Sequence, residues 1–134
     1  MAYLNLFFSW FSSKKLDDKE LPWIDLNRLD QLDSMIEESN GRIMIVFKHS
    51  TRCGISRMVL KDFIRKYTLT EESAKLYYLD IFSYRELSNE LSIRFGIVHE
   101  SPQIIVIKDG NAIHHASHYM IDAEELNEFA SIDA

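Results

Sequence analysis

The stretch IMIVFKHSTRCGIS, residues 43–56, joins an uninterrupted apolar run to the beginning of a helical pattern. An apolar run without polar alternation is typical of a strand that is covered on both faces. Beyond it, large apolar residues recur at helical spacing, which predicts a helix from about Cys53 to Tyr67. A buried strand that leads directly into a helix indicates an α/β domain.

Capping patterns predict where the other helices begin and end. Three pairs have the spacing of a capping box: Asn27 with Asp30, Ser83 with Glu86, and Asp122 with Glu125. They predict helices that start near these residues, the first of which extends to about Ser39. Gly96 is expected to end the second, because glycine accommodates the left-handed backbone common at helix C-termini.

Two further apolar segments, residues 76–79 with Ile81 and residues 103–107, are typical of buried strands. Asp109-Gly110 separates the second run from a strand-like segment at residues 111–117. This dipeptide predicts a hairpin, because both central residues of such a turn need positive φ. Together with the strand that begins at Ile43, these segments predict a four-stranded mixed sheet with helices on both faces.

Length and composition restrict the class of protein. A chain of 134 residues is long enough for one domain with a real core. Its net charge of −6 argues against nucleic acid as the main partner. The single cysteine, Cys53, excludes an internal disulfide framework and a multi-cysteine zinc site, and it favours a reducing compartment such as the cytoplasm.

The N-terminal segment is apolar, but no run of about 18 apolar residues predicts a transmembrane helix. Within residues 1–11, large apolar side chains recur at helical spacing and predict a terminal helix that docks on the domain or frays. The alternative is a helix that touches a membrane surface or a partner protein. A polar linker follows, so we expect residues 1–20 to precede a domain at 21–134.

Cys53 is the candidate reactive group, because a thiol in the first turn of a helix faces unpaired N–H groups and the positive end of the helix dipole. Residues 48–61 contain no acid and four bases: Lys48, Arg52, Arg57 and Lys61. These surroundings favour the thiolate. The alternative interpretation is a buried cysteine that only fills space. Ser56 stands where a C-x-x-C motif has its second cysteine, so Cys53 can form a disulfide only with another molecule.

Other polar residues have weaker signals. Thr51 is a candidate N-cap for the helix that carries Cys53, and His49 is a candidate for tuning the thiol. His114 and His115 are adjacent in a predicted strand, where their side chains point to opposite faces. We therefore expect them to belong to a polar edge strand, and we predict no metal site.

Three motifs together resemble a known family. They are Lys48-His49-Ser50-Thr51-Arg52-Cys53-x-Ile55-Ser56, the upstream Leu21-Pro22-Trp23-Ile24-x-Leu26, and Ser101-Pro102 followed by strand, Asp109-Gly110 and strand. This combination, over roughly residues 21–130, resembles the monothiol bacilliredoxins, the YtxJ-like redox proteins of the bacillithiol system. The chain departs from the family pattern at Gly54, where the family has proline or serine.

The resemblance implies a thioredoxin-like fold and a monothiol oxidoreductase that needs no bound cofactor. Cys53 would take bacillithiol from a bacillithiolated protein as a mixed disulfide, and a second bacillithiol would regenerate it. Bacillithiol carries two carboxylates, for which Lys48, Arg52 and Arg57 are candidate ligands. Pro102 would be the cis-proline of the fold, and its neighbour Ser101 would contact the bound thiol compound.

Two other functions are compatible with the residues. One is a non-catalytic thioredoxin-like module that binds partner proteins, which is motivated by the missing second cysteine and by the apolar helix predicted at the N-terminus. The other is a thiol sensor in which Cys53 is oxidised to sulfenic acid.

Overall fold

Five strands and four α-helices make up residues 19–130, the part of the chain that the computed structural model describes. The strands are β1 (Trp23–Asp25), β2 (Ile43–His49), β3 (Ala74–Asp80), β4 (Gln103–Lys108) and β5 (Asn111–Ser117). The helices are α1 (Asp30–Glu38), α2 (Gly54–Lys66), α3 (Arg85–Phe95) and α4 (Leu126–Ala130), and single 3-10 turns occupy His118–Met120 and Ala123–Glu125. The helix predicted within residues 1–11 and the predicted boundary at residue 20 rest on a segment outside the described residues.

The strands form one mixed sheet in the order β1-β3-β2-β4-β5. β2 pairs in parallel with β3 and antiparallel with β4, so the α/β class and the mixed sheet are confirmed. The sheet has five strands where four were predicted, because Trp23–Asp25 adds a parallel edge beside β3. This strand is only three residues long, and Asp25 on it is exposed, so it carries no apolar run of the kind that predicts a strand.

The two faces of β2 build two hydrophobic clusters. All seven residues of the strand are buried, as its continuous apolar pattern predicts. Ile43, Ile45 and Phe47 pack with Phe63 of α2 on one face of the sheet. Met44 and Val46 pack on the other face with residues of α1 and α3, among them Met35 and Leu91. Side chains that alternate along β2 therefore belong to opposite sides of the molecule.

The turns and one helix start confirm their sequence signals. Asp109 and Gly110 have φ values of 50° and 77°, and they connect β4 to β5 as the hairpin pattern predicts. Gly96 ends α3 with a φ of 64° in the left-handed region. Asp122 accepts a hydrogen bond from the backbone N–H of Glu124 at 3.0 Å and so caps the first 3-10 turn before α4.

The other two capping boxes are wrong. The N-cap of α1 is Leu29, with no side-chain cap, and the side chain of Gln31 instead accepts hydrogen bonds from the N–H groups of Asn27 and Arg28. The N-cap of α3 is Tyr84, also without a side-chain cap. Ser83 instead donates its hydroxyl to the Asp80 carboxylate at the end of β3, at 3.0 Å, in a charge-assisted hydrogen bond.

Candidate active site

The candidate site lies at the end of the sheet where β2 and β3 finish. These two strands are parallel, so their C-terminal ends lie side by side. β4 is antiparallel to β2 and begins at the same end, with Gln103 paired to Lys48. Extending this register by one residue brings Pro102 opposite His49. The loop that carries Cys53 follows β2, and the loop that carries Pro102 precedes β4. Both loops therefore lie at the same end of the sheet.

Cys53 is the N-cap of α2, one residue before the predicted first turn. It has an extended backbone with φ −107° and ψ 123°, and its side chain is partly exposed. Its backbone N–H donates to the carbonyl of Ser50 at 3.2 Å, and its carbonyl accepts from the N–H of Arg57 at 3.1 Å. An N-cap side chain lies beside the unpaired N–H groups of the first turn, which is a favourable position for an anionic sulfur.

Thr51 is not the N-cap that the sequence suggested. It is an exposed residue of the turn before Cys53, and no side chain caps α2. Its carbonyl oxygen accepts a hydrogen bond from Nη1 of Arg57 at 3.3 Å. Thr51 contributes its backbone to the site by anchoring this guanidinium.

Ser56 and His49 are hydrogen-bonded to each other beneath the first turn of α2. The Oγ of Ser56 lies 2.8 Å from Nδ1 of His49 and accepts from the N–H of Ser50 at 3.0 Å. Burial lowers the pKa of His49; the Asp80 carboxylate opposes this shift and the Arg57 guanidinium adds to it. Because a neutral imidazole is favoured, we assign the Ser56 hydroxyl as donor to Nδ1.

Two exposed arginines flank Cys53 in the sequence, Arg52 directly before it and Arg57 in the first turn of α2. The guanidinium carbon of Arg52 lies 4.8 Å from the ring centroid of Phe82, which follows β3, so the cation stacks on an aromatic face. Arg57 is held by its bond to the Thr51 carbonyl. Both cations remain exposed to solvent and available to an anionic ligand at the start of α2.

Lys48 is not part of this basic group. Its side chain is completely buried on the opposite face of the sheet, where Nζ lies 3.1 Å from Oγ of Ser92 and 3.2 Å from Nδ1 of His99. Burial lowers the pKa of Lys48 to about 8. The sequence groups Lys48 with Arg52 and Arg57 as ligands for substrate carboxylates, whereas the structure separates it from them because β2 alternates its side chains between two faces.

The Ser101–Pro102 peptide bond is cis, as the resemblance implies. The carbonyl of Pro102 accepts from the N–H of His118 at 2.9 Å, which ties this turn to the end of β5. The Oγ of Ser101 is buried and has no hydrogen-bond partner among residues 19–130. Ser101 and Pro102 thus lie in the loop next to the Cys53 loop, with an unused hydroxyl.

Sequence reasoning missed the residues that hold the proline loop, the segment of residues 96–102 between α3 and β4. Gln103 donates from Nε2 to the carbonyl of Val98 at 3.0 Å and accepts at Oε1 from the N–H of Glu100 at 3.3 Å. His99, between them, contacts Lys48. The available signal was one of composition: Lys48 and Gln103 are polar residues inside or beside otherwise apolar strands, which is unusual unless they are hydrogen-bonded.

The histidines of β5 and its end serve separate contacts. His114 stacks on Phe129 with a centroid distance of 4.6 Å, while Nδ1 of His118 lies 3.5 Å from a carboxylate oxygen of Glu100. In residues 19–130 no three His, Cys, Asp or Glu side chains are arranged to hold a metal ion. None of the helices in that range is both long and apolar enough to cross a lipid bilayer.

Several exposed apolar side chains lie at the same end of the sheet as Cys53. They are Ile55 in the first turn of α2, Phe82 after β3, Val98 before β4, and Tyr119 and Met120 after β5. Scattered exposed apolar residues are ordinary, but several of them at one end of the sheet are typical of a surface that contacts another molecule. A groove of about 400 Å³ between Met58 and Tyr119 lies further along α2, and Cys53 does not line it.

Comparison with known proteins agrees with the fold and indicates a family. Residues 24–126 match the family described as monothiol bacilliredoxin BrxC. A solved structure described as a candidate oxidoreductase with a thioredoxin fold is 30% identical, with a TM-score of 0.67, and the match covers 79% of this chain and 91% of the other.

Two thioredoxins have the same fold at lower identity. The thioredoxin of Fasciola hepatica is 20% identical, with a TM-score of 0.60, over 80% of this chain and 95% of its own. The thioredoxin of Malassezia sympodialis is 16% identical, with a TM-score of 0.61, over 80% and 86% respectively.

These findings define a thioredoxin-fold protein with a thiol redox function. The chain belongs to the monothiol bacilliredoxin family.

Proposed function

We propose that this protein is a monothiol thiol–disulfide oxidoreductase that removes bacillithiol from protein cysteines, or transfers it, through a mixed disulfide on Cys53. The observation that carries the proposal is the position of Cys53: a partly exposed N-cap, with the hydroxyl of Ser56 three residues later where a dithiol enzyme has its second thiol. Such a site can accept a thiol compound but cannot release it by an internal disulfide.

The reaction is a pair of thiol–disulfide exchanges. In the first, the Cys53 thiolate attacks the bacillithiol sulfur of a protein–bacillithiol disulfide; that S–S bond breaks, and the target cysteine leaves as a thiolate. Cys53 now carries bacillithiol. In the second, the thiolate of another bacillithiol attacks the bound bacillithiol sulfur, which releases the Cys53 thiolate and forms bacillithiol disulfide. Each step exchanges one S–S bond for another.

The charges around Cys53 suit this substrate. Arg52 and Arg57 are exposed beside the thiol, and each guanidinium has N–H donors left over after its contact with Phe82 or Thr51. The two carboxylates of bacillithiol are ligands of the kind that guanidinium groups bind by charge-assisted hydrogen bonds. The exposed apolar residues at this edge would contact the protein that carries the modified cysteine.

The first experiment tests the covalent step. The full chain is incubated with bacillithiol disulfide and analysed by mass spectrometry, and a bacillithiolated protein is used to measure removal. We expect one bacillithiol adduct on the wild type, located at Cys53, and none on Cys53→Ser, which should also lose the removal activity. Absence of the adduct, or full activity of Cys53→Ser, would refute the proposal.

The second experiment tests recognition of the carboxylates. Arg52→Gln and Arg57→Gln are each expected to slow adduct formation with bacillithiol disulfide about two- to fivefold, because an exposed ion pair contributes about 0.5–1 kcal/mol. Lys61→Gln, an exposed base further along α2, is the control and should leave the rate unchanged. With cystamine, a cationic disulfide, the arginine variants should react at least as fast as the wild type.

The same measurements discriminate the two other functions. If the protein is a binding module, the Cys53→Ala variant should still bind the protein partner, and the wild type should form no bacillithiol adduct. A thiol sensor would react with peroxide far faster than free cysteine and would not exchange with bacillithiol disulfide.

A further inference from the structure

Lys48 is a completely buried cation without a carboxylate partner among the described residues. Its Nζ contacts Oγ of Ser92 at 3.1 Å and Nδ1 of His99 at 3.2 Å. Buried ammonium groups are ordinarily paired with an anion, because desolvation of an isolated charge is costly. A cation held by a hydroxyl and an imidazole is therefore an unusual feature of this fold.

The contact requires His99 to be neutral. An ammonium has three donors and no acceptor, so Nδ1 of His99 accepts from Lys48. The Oγ of Ser88 lies 3.2 Å from the same nitrogen, so the ammonium and the hydroxyl share its single acceptor lone pair. The ring proton must then be on Nε2. A second proton on His99 would occupy Nδ1 and remove both acceptor interactions.

Charged groups around His99 come from three elements. Lys48 on β2 and Arg85 on α3 disfavour a protonated imidazole, whereas Glu100 in the same loop favours it. The Glu100 carboxylate itself lies 3.5 Å from Nδ1 of His118. Burial lowers the pKa of His99 more than any of these charges does.

Two side chains paired across the sheet hold three consecutive residues of the proline loop. Lys48 and Gln103 are register partners on β2 and β4, and both are buried. Gln103 fixes the backbone of Val98 and Glu100, while Lys48 fixes the ring of His99. The next residues along the chain are Ser101 and the cis-proline Pro102.

We propose that Lys48 and His99 form a proton-sensitive clamp that positions the Ser101–Pro102 turn for the disulfide exchange at Cys53. Neutral His99 accepts from Lys48 and holds the turn against the end of the sheet. Protonated His99 repels Lys48, and the turn is released. Lys48 and His99 are thus positioning residues on the face of the sheet opposite Cys53, and this role rests on the proposed function for its catalytic consequence.

The structural part is tested without substrate. Ring ¹⁵N NMR of the full chain should show the Nε2–H tautomer of His99 at neutral pH. The protection factor of the Glu100 amide, which compares its exchange with the intrinsic rate at the same pH, should fall as His99 becomes protonated. His99→Gln, whose amide oxygen accepts but does not titrate, should abolish this fall. An Nδ1–H tautomer, or a protection factor at Glu100 that follows no His99 titration, would overturn the clamp even if the protein transfers bacillithiol as proposed.

The catalytic part is tested on a bacillithiolated peptide. Loss of the Cys53 thiolate lowers activity on the acid side in every variant. The ratio of the wild-type rate to the His99→Gln rate is therefore measured against pH, and it should fall as His99 becomes protonated. Lys48→Met should raise KM several-fold, with a smaller change in kcat, and should leave the alkylation of Cys53 by iodoacetamide unchanged. Lys75→Met, which removes a lysine paired with Glu38, is the control and should match the wild type.

The pH dependence of the rate ratio between wild type and His99→Gln, together with the KM of Lys48→Met, decides this part. If this ratio does not change with pH, or if Lys48→Met has the KM of the control, the catalytic role is refuted. Complete inactivity of the wild type toward bacillithiolated peptide would instead refute the proposed function, while the NMR and exchange results would still judge the clamp.

Discussion

The hydroxyl oxygen of Ser56 lies 2.8 Å from Nδ1 of His49, directly below the turn that presents Cys53. The same oxygen accepts from the N–H of Ser50, so it satisfies two buried polar groups at once. Ser56 is itself fully buried. The residue that replaces a second thiol is therefore a structural link between β2 and α2, and its hydroxyl is already engaged.

Introducing a thiol at this position should change how the mixed disulfide is resolved. In Ser56→Cys, the new thiol lies at the C-x-x-C spacing from Cys53 and can attack the mixed disulfide, which forms an internal disulfide and expels the bound thiol compound. Mass spectrometry should show a chain 2 Da lighter than the reduced form and little adduct.

Ser56→Ala is the control for this substitution, since it removes the hydroxyl without supplying a thiol, and it should accumulate the adduct as the wild type does. We expect it to lose about 1–3 kcal/mol of unfolding free energy, because the Ser50 N–H is left without an acceptor. Persistent adduct on Ser56→Cys would show that the two positions do not approach each other.

Acid should destabilise the fold partly through His49. Burial lowers the pKa of His49 below its ordinary 6.5, so the unfolded chain binds a proton at this residue that the folded chain does not. Stability therefore falls as pH drops below about 6.5 toward the folded pKa. His49→Gln, which cannot titrate, should lose less unfolding free energy than the wild type between pH 7 and about pH 5 in denaturant titrations.

His115→Gln is the matched control, since His115 is an exposed residue of β5. It should show the acid sensitivity of the wild type. A His49→Gln variant as acid-sensitive as this control would contradict the assignment of a neutral His49.

At alkaline pH, Lys48 should make the unfolding free energy rise with pH. Burial lowers its pKa from 10.5 to about 8, so between these values the unfolded chain holds a proton that the folded chain has released. Raising the pH through this window stabilises the fold. Relative to Lys48→Met, the wild type should gain on the order of 2 kcal/mol of unfolding free energy from pH 8 to 10.5.

Lys75 supplies a comparison of opposite sign. Its hydrogen bond with Glu38 raises its pKa, so its contribution is present at neutral pH and is lost as the pH rises through the folded pKa. Chemical unfolding of Lys48→Met and Lys75→Met across the same pH series checks both directions. If the wild type does not gain stability relative to Lys48→Met in this window, burial does not lower the pKa of Lys48.

Lys48 also shows why part of the site could be predicted and part could not. The apolar run of β2, the hairpin at Asp109-Gly110 and the place of Cys53 at a strand–helix junction depend on local patterns, and the structure has all of them. The direction of the Lys48 side chain depends on strand alternation and on His99, which is 51 residues away in the sequence. Proximity in sequence grouped this lysine with the arginines, although the sheet lies between them.

Helix capping failed for a related reason. Thr51, Ser83 and Asn27 each have the residue type of an N-cap, but hydroxyl and amide groups compete for several acceptors and donors. Ser83 contacts the Asp80 carboxylate, and the residues around Asn27 are closed by Gln31. Asp122 does cap its turn, and its carboxylate accepts from the N–H of Glu124.

Gly54→Pro is predicted to stabilise the fold. Gly54 is the first residue of α2, where a backbone N–H has no acceptor within the helix and proline is favoured. The preceding Cys53 has φ −107° and ψ 123°, the extended conformation that a residue before proline requires. A Cβ at this position would contact only the end of the Arg57 side chain, at 3.8 Å. We expect a gain of about 0.5–1 kcal/mol from the reduced entropy of the unfolded chain.

Denaturant unfolding of reduced protein measures this gain, with Gly96→Ala as the control at a glycine that cannot be replaced without strain. Gly96 has a φ of 64°, so a side chain there should cost about 1 kcal/mol although nothing lies within 4 Å of it. Opposite signs for the two variants would establish that α2 starts at residue 54 with Cys53 as its N-cap. A destabilised Gly54→Pro would mean that the N–H of Gly54 has an acceptor and that the helix carrying the thiol begins earlier in the chain.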